Sequence, residues 1–402
     1  MLFEEYVYNI KRIFESYFKY IFEMEKEGNL DLWGNTLLYP NILLITNCSG
    51  FYVAELIGAV RKYDGLKVKI HKEKSIYRYL SQFDDSEPVS NDSKLDSCVY
   101  LDSDRTYIKG LGLARNADFK VVKERFPSIE LYNSILNWTG EKGKGSVISF
   151  GPNFESCLIE NCVLVNRLDN LYRCKNILAA YIFKSSSPKQ KLIDFFSQVL
   201  SGKEVKGIHT IQWQLEEQLV IAGQLQNIYL FPSLHETTIG EFLKLHPETI
   251  KKAFKTEHFE YEPYLKWLEH DGTCEDTAIN PDLLIKRSDG YYDIYDLKTA
   301  ALAKENITKG GRKRRRFIDY VEEGVAQLVN YEEYFTYLKN AVHAKEKYGI
   351  EIKNPKLVLV VGSWENSSPE EVVQARRRYT GVEIIDYDTF CHLFIGAKIS
   401  SS

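Results

Sequence analysis

Residues 279 to 298 read INPDLLIKRSDGYYDIYDLK, and the pairing of this stretch decides the fold of the C-terminal half. Two short apolar segments, Leu283-Leu284-Ile285 and Tyr291 to Leu297, flank Asp289-Gly290, a dipeptide that favours a tight hairpin turn. Side chains alternate faces along a strand, so Asp296 and Lys298 point the same way. With the hairpin centred near Asp289, Asp282 falls directly opposite Asp296, and opposed residues share a face. Two carboxylates and an ammonium then converge at the open end of the hairpin. Carboxylate oxygens at that density suit a hard divalent cation, Mg2+ above all with Mn2+ as the alternative, held by Asp282 and Asp296. Lys298 can hold an attacking water or stabilise charge developing on a phosphate.

Asp and Lys at strand ends are most often simply solvated, and a lone Asp-x-Lys triplet carries little information. The full order is more specific: Pro281-Asp282, an apolar strand, a turn, a second apolar strand, then Asp296-Leu297-Lys298. In that order the stretch resembles the PD-(D/E)XK nucleases. The resemblance implies that the paired acids bind metal and that the lysine assists phosphodiester hydrolysis.

Working outward, helices are expected over about 236 to 269, a strand over Thr273 to Ile279, and then the hairpin. One long helix is expected from Phe317 to about Tyr348, followed by a buried strand at Leu357 to Val361. This order, αβββαβ, is that of a restriction-endonuclease-like domain. A helix over Pro369 to Tyr379, a strand over Val382 to Asp386 and a short helix close it. Gln327 and Tyr331 are four apart and share a helix face. Their Q-x-x-x-Y form resembles a motif that follows the D-x-K strand in RecB-type members, where the glutamine supports the metal site and the helix lines the DNA groove. Before that helix, Arg312, Lys313, Arg314, Arg315 and Arg316 follow a glycine pair. Such a run suits phosphate neutralisation, each contact adding ~0.9 to the slope of log affinity against log salt on duplex DNA; a solvated surface or an import signal is the plainer alternative.

A further acid is expected on the helix before the hairpin. Ser233-x-x-Glu236 and Thr238-x-x-Glu241 are both capping-box patterns. Glu236 lies on the face of Ile239 and Leu243, where an acid is unusual, so it is the better active-site candidate, with capping as the alternative. Glu216 and Glu217 are weaker candidates.

The chain has 402 residues, too many for one ordinary core, so two domains are expected. Ser185-Ser186-Ser187-Pro188 punctuates the sequence and sets the division at 1–187 and 188–402. A net charge of −4 leaves nucleic-acid contact to a local basic patch. Seven scattered cysteines without a C-x-x-C pair fit a reducing cytoplasm. The opening MLFEEYVYNIKR carries acids where a secretion signal needs bases, and the sequence contains no run of eighteen apolar residues, so no membrane span is expected. Residues 2 to 27 read as one amphipathic helix. Strand-like Asn41 to Ile45 and Leu66 to Ile70 bracket a helical-looking Tyr52 to Tyr63. An acidic, Ser-rich loop is expected over Asp84 to Ser97, with further strands at Val99 to Leu101, Val147 to Phe150 and Cys162 to Val165. The half reads as a separate α/β or α+β domain. Gly140 to Ser146 and Gly110-Leu-Gly112 fall short of phosphate-loop and dinucleotide patterns. No catalytic constellation is found there.

With these pieces in place, the domain from about 190 onward resembles the Shedu family of bacterial anti-phage nucleases. The resemblance is carried by ETTIGEFLKLHP, NPDLLIKRSDGYYDIYDLK, GVAQLVNYEEY and the tail LVLVVGS…GVEIIDYDTF. It implies a metal-dependent DNA endonuclease acting on double-stranded DNA, with Asp282, Asp296 and Lys298 as its core and Gln327 in support. It also implies a homo-oligomer, a tetramer, joined to a variable N-terminal domain. The D-x-K acid is Asp where Glu is commoner in the superfamily. A non-catalytic nucleic-acid sensor and an assembly scaffold on the same fold are the competing readings.

Overall fold

The computed structural model describes residues 1–80, 100–101, 107–108, 134–136, 146–147, 154–168, 171–202, 204–231, 236–272, 276–299, 306–311, 314–379 and 381–396. The chain clusters into two compact units, the first made of Met1–Arg167 and Tyr172–Asn227, the second built on Ile228–Ser402. The division thus falls forty residues beyond Ser187-Pro188, and the helix Lys189–Leu200 packs with the first unit. The acidic stretch 84–97 and the glycines of both glycine-rich stretches lie outside the described residues.

The first unit is a mixed α/β body. Helix α1 (Phe3–Lys26) turns Tyr6, Ile10, Phe14, Phe18 and Ile21 toward a sheet, the spacing the sequence predicts. Strands β1 (Ile42–Cys48) and β2 (Phe51–Ile57) meet that helix, and β3 (Lys67–Glu73) pairs parallel with β1. Strands β4 (Ser156–Leu168) and β5 (Leu171–Lys184) extend the sheet beyond β2. A second helix, α2 (Lys189–Leu200), adds Leu192, Phe195 and Phe196 to the same core. The expected helix over Tyr52 to Tyr63 is strand β2 instead. Ser49-Gly50 forms a two-residue turn, with Gly50 at φ +79°, and sets Cys48 opposite Phe51. Once that turn pairs Phe51 to Ile57 with β1, its aromatic and β-branched side chains fit the pleat better than a helix. Helix α3 (Glu216–Leu230) follows a short 3-10 turn at Trp213–Leu215.

The second unit is also mixed α/β. It opens with helices α4 (Glu236–Leu245) and α5 (Pro247–Phe254). Helix α5 stops where Lys255 turns left-handed, at φ +52°. The expected helix therefore does not run to 269. Strands β6 (Phe259–Tyr261) and β7 (Leu265–Lys266) occupy that span. The expected strand from Thr273 is described only as β8 (Ala278–Ile279), which pairs β7 rather than the main sheet.

The hairpin forms as expected, from β9 (Leu283–Lys286) and β10 (Tyr292–Leu297). Its register runs from Leu283↔Tyr295 to Lys286↔Tyr292, and Gly290 takes φ +92° at the turn. Arg287 braces the turn through Asp289 and Asp293, both at 3.0 Å. After a ribbon of β11 (Thr308–Lys309) and β12 (Arg316–Phe317) come helix α6 (Asp319–Tyr334) and helix α7 (Leu338–Tyr348). The single helix expected over 317 to 348 is thus two. The chain extends at Tyr337, and fully buried Asn340 fixes the break. Its side chain accepts from Leu268 and Glu269 N–H and donates to the Tyr334 carbonyl.

Strand β13 (Leu357–Val360), helix α8 (Pro369–Arg376), strand β14 (Val382–Ile385) and helix α9 (Tyr387–Ile395) complete the unit. The main sheet runs β6-β9-β10-β13-β14, antiparallel through the hairpin and parallel from β10 onward. Strand β10 is central and buried on both faces, including its two carboxylates, Asp293 and Asp296. Its Tyr292 and Ile294 face Val321, Val325 and Leu328 of α6. On the opposite face Tyr295 packs against Phe254, which also meets Phe390.

Candidate active site

The face of β10 that carries Ile294 continues through Asp296 to Lys298, so the last two lie under helix α6. Asp296 is 1 % exposed. The hairpin register, continued one step past Leu283↔Tyr295, sets Asp282 opposite Asp296. Asp282 also has a structural tie: its Oδ2 accepts the Leu297 N–H at 2.7 Å. Lys298 Nζ lies 3.0 Å from Asp296 Oδ2 and donates to Gln327 Oε1 at 2.6 Å. The backbone of Lys298 is still in the ladder, its N–H donating to the Val360 carbonyl of β13.

Helix α6 meets this strand end because residue 324 is glycine. A Cβ at Gly324 would stand 3.0 Å from Lys298 Cε, 3.3 Å from Asp296 Oδ2 and 2.9 Å from Leu359 Cδ1. Gly324, Gln327 and Tyr331 succeed one another at three- and four-residue spacing, hence on one face. Tyr331 is half-buried. Its phenol is pushed well above the usual range by burial first, then by the negative fields of Asp296, Asp282 and Asp276. A hydroxyl in that condition stays protonated and offers a hydrogen-bond donor.

Five residues singled out in the sequence therefore lie together: Asp282, Asp296, Lys298, Gln327 and Tyr331. The helix acid is less defined. Glu236 is the first residue of α4, and its side chain lies outside the described residues. Glu241 is exposed. Glu216 and Glu217 both pair with Arg61 in the first unit.

The basic run divides into residues with different tasks. Arg312 and Lys313 lie outside the described residues, and Arg314 is exposed. Arg315 is turned inward, pairing with Glu371 at 2.9 Å and donating to Gln374 at 3.2 Å. Glu371 is also held by the Thr308 hydroxyl, in a buried bond of 2.7 Å. Arg315 thus anchors the β11–β12 ribbon to α8. Arg316 remains exposed, 3.7 Å from Glu322.

The sequence reading missed Gly324 and Asp276. An isolated glycine inside a helical pattern is a signal for close packing, and Gly324 sits three residues before Gln327. Asp276 carries no such signal, because its relation to Tyr331 is a matter of tertiary placement.

Asp282 and Asp296 supply the oxygen donors that a hard divalent cation takes. No group of three or more His, Cys, Asp or Glu residues that could hold a metal occurs among the described residues. Likewise, no helix among them is long and apolar enough to cross a membrane. In comparison with known proteins, residues 209–391 match the family described as Shedu protein SduA, C-terminal. No curated protein matches the chain.

Proposed function

Since residues 209–391 match the Shedu protein SduA C-terminal family, we propose that the chain belongs to that family of anti-phage defence and is a metal-dependent DNA endonuclease. The observation that carries the proposal is the convergence of Asp282, Asp296, Lys298 and Gln327 at one strand end under one helix. The sheet order, a hairpin followed by a helical crossover into a parallel strand, supports a restriction-endonuclease-like core.

Asp282 and Asp296 would hold Mg2+ or Mn2+. Two carboxylates suit Mg2+, which keeps several waters and commonly takes further oxygens from substrate phosphate. When bound, the ion supplies Lewis-acid polarisation of the phosphate and a more acidic water. Lys298, steadied by Gln327, presents its Nζ to orient the attacking water and to offset negative charge gathering on the phosphate. Tyr331 offers its hydroxyl proton to a phosphate oxygen. Arg312, Lys313, Arg314 and Arg316 would meet the duplex backbone, whereas Arg315 serves the ribbon. Glu236 is kept as the helix acid of the proposal. The homo-oligomer, a tetramer, is carried over from the resemblance and is read by light scattering.

The test is plasmid cleavage by purified protein with Mg2+ or Mn2+, beside an EDTA control. The expected result is nicking or linearisation that EDTA stops and that Lys298→Ala abolishes, with the circular dichroism of the variant unchanged. Wild-type cutting by Lys298→Ala would sink the assignment of the lysine. No cutting under either metal, with salt-sensitive DNA binding retained, would favour a nucleic-acid sensor on the same fold.

A further inference from the structure

We propose that Tyr320 and Tyr387 are positioning residues for Lys298, acting together on the single peptide unit that follows it. The carbonyl of that unit, Lys298 O, accepts the Tyr387 hydroxyl at 2.8 Å. Its N–H, on Thr299, donates to the Tyr320 hydroxyl at 2.9 Å. The Lys298 N–H is held as well, by the Val360 carbonyl at 2.9 Å. Both backbone dihedrals of Lys298 are therefore pinned where the chain leaves the sheet, a place where strands otherwise fray. Productive sites need side chains held within about 0.5 Å and 10–20°. A lysine has four rotatable carbons, so a tilt at its Cα is amplified at Nζ.

The two phenols come from opposite faces of the sheet. Tyr320 is in the first turn of α6 and partly buried against the main core. Tyr387 opens α9 and is fully buried. Its own placement is secured: its N–H donates to the Gly362 carbonyl, and its ring stacks on Tyr229 at 5.7 Å. The Tyr229 hydroxyl in turn donates to Asp388 at 2.9 Å, and Asp388 accepts the Trp364 N–H at 2.7 Å. A phenylalanine at 320 or 387 would keep the ring packing and lose the bond to the peptide.

The catalytic consequence rests on the nuclease reading; the mechanical one does not. The variants are Tyr320→Phe, Tyr387→Phe and the double change in the full chain, measured two ways. For plasmid cleavage, each single change is expected to lower kcat by about tenfold and the double by about a hundredfold, with KM within about twofold. The second readout is independent of activity: brief acetylation of the intact protein with limiting acetic anhydride, followed by mass spectrometry. Lys298 acetylation is expected to rise several-fold in the double variant, with the exposed Lys244 and Lys345 unchanged as internal controls. If wild type does not cut DNA, the nuclease reading fails while the acetylation comparison still decides the clamp. Lys298 acetylation equal to wild type overturns the proposal. So does a uniform rise at every lysine, which would mean that the hydroxyls serve the fold as a whole.

Discussion

At the scale of single residues, Asp282 carries two tasks on one carboxylate, and two replacements separate them. Its Oδ2 satisfies the Leu297 N–H in the centre of the sheet, and its charge lies opposite Asp296. Asp282→Asn keeps an oxygen acceptor for that N–H and removes the charge. Asp282→Ala removes both and leaves a nearly buried donor unpaired, at a cost of about 1–3 kcal/mol. Both variants are expected to lose cleavage, and urea unfolding should rank Ala below Asn in stability by that amount. Equal stabilities would mean that the Leu297 bond contributes nothing; cleavage by Asp282→Asn would remove the residue from the metal site. Arg315 makes the same point from the other side. Among the described cations of that run it is the one paired with Glu371, so replacing it should loosen the ribbon more than it weakens DNA binding.

At the scale of elements, the contact between α6 and β10 turns on Gly324. Alanine there favours the helix by about 1 kcal/mol. Its Cβ, however, meets Leu359 at 2.9 Å and the lysine stem at 3.0 Å, and overpacking of that kind costs about 1–3 kcal/mol. The two nearly cancel, so Gly324→Ala should change stability by about 2 kcal/mol at most while displacing Lys298. A tenfold or greater fall in kcat with a near-native urea midpoint is the expected pair of results; full activity would show that the lysine tolerates the shift. The elements also show where sequence reading succeeds. The β9–β10 hairpin was legible because Asp289-Gly290 and the alternation of Leu283 to Leu297 specify turn and register locally, and that register alone brings Asp282 to Asp296. Strand β2 was misread because VAELIGAV has no clear period, and its pairing is set by Ser49-Gly50 outside it. The break between α6 and α7 was invisible because it depends on Asn340 bonding to Leu268 and Glu269, about seventy positions away. Tyr320 and Tyr387 escaped for the same reason, since nothing local distinguishes a clamping phenol from a core one.

At the scale of the whole molecule, each unit has its own core and each holds a histidine in its neutral form, His392 fully buried and His209 partly so. His392 in the second unit is pushed down to about 3 by burial. His209 in the first is pushed down to about 4 by burial, partly offset by a hydrogen bond to the Gly58 backbone. A depressed histidine stays neutral in the fold while the unfolded chain takes up a proton below about pH 6.5. The stability it contributes is therefore complete above that pH and is lost as pH falls toward the folded value, by about 1.4 kcal/mol per unit for each group. Between pH 6.5 and 5 the loss attributable to His392 is about 2 kcal/mol. Urea titrations of wild type and His392→Leu should differ in slope over that range by one proton, the variant being flatter; parallel curves would show that His392 does not titrate. The clamp on Lys298 has a consequence for synthesis as well. Tyr387 lies 89 positions after the carbonyl it holds, and chains grow at about 5–20 residues per second. A nascent chain thus exposes its acids and lysine for about 4–18 s before the hydroxyl that seats that lysine has been made. On the nuclease reading proposed above, the order of translation itself keeps the site unassembled for that interval and delays the hazard to the DNA of the cell that makes it.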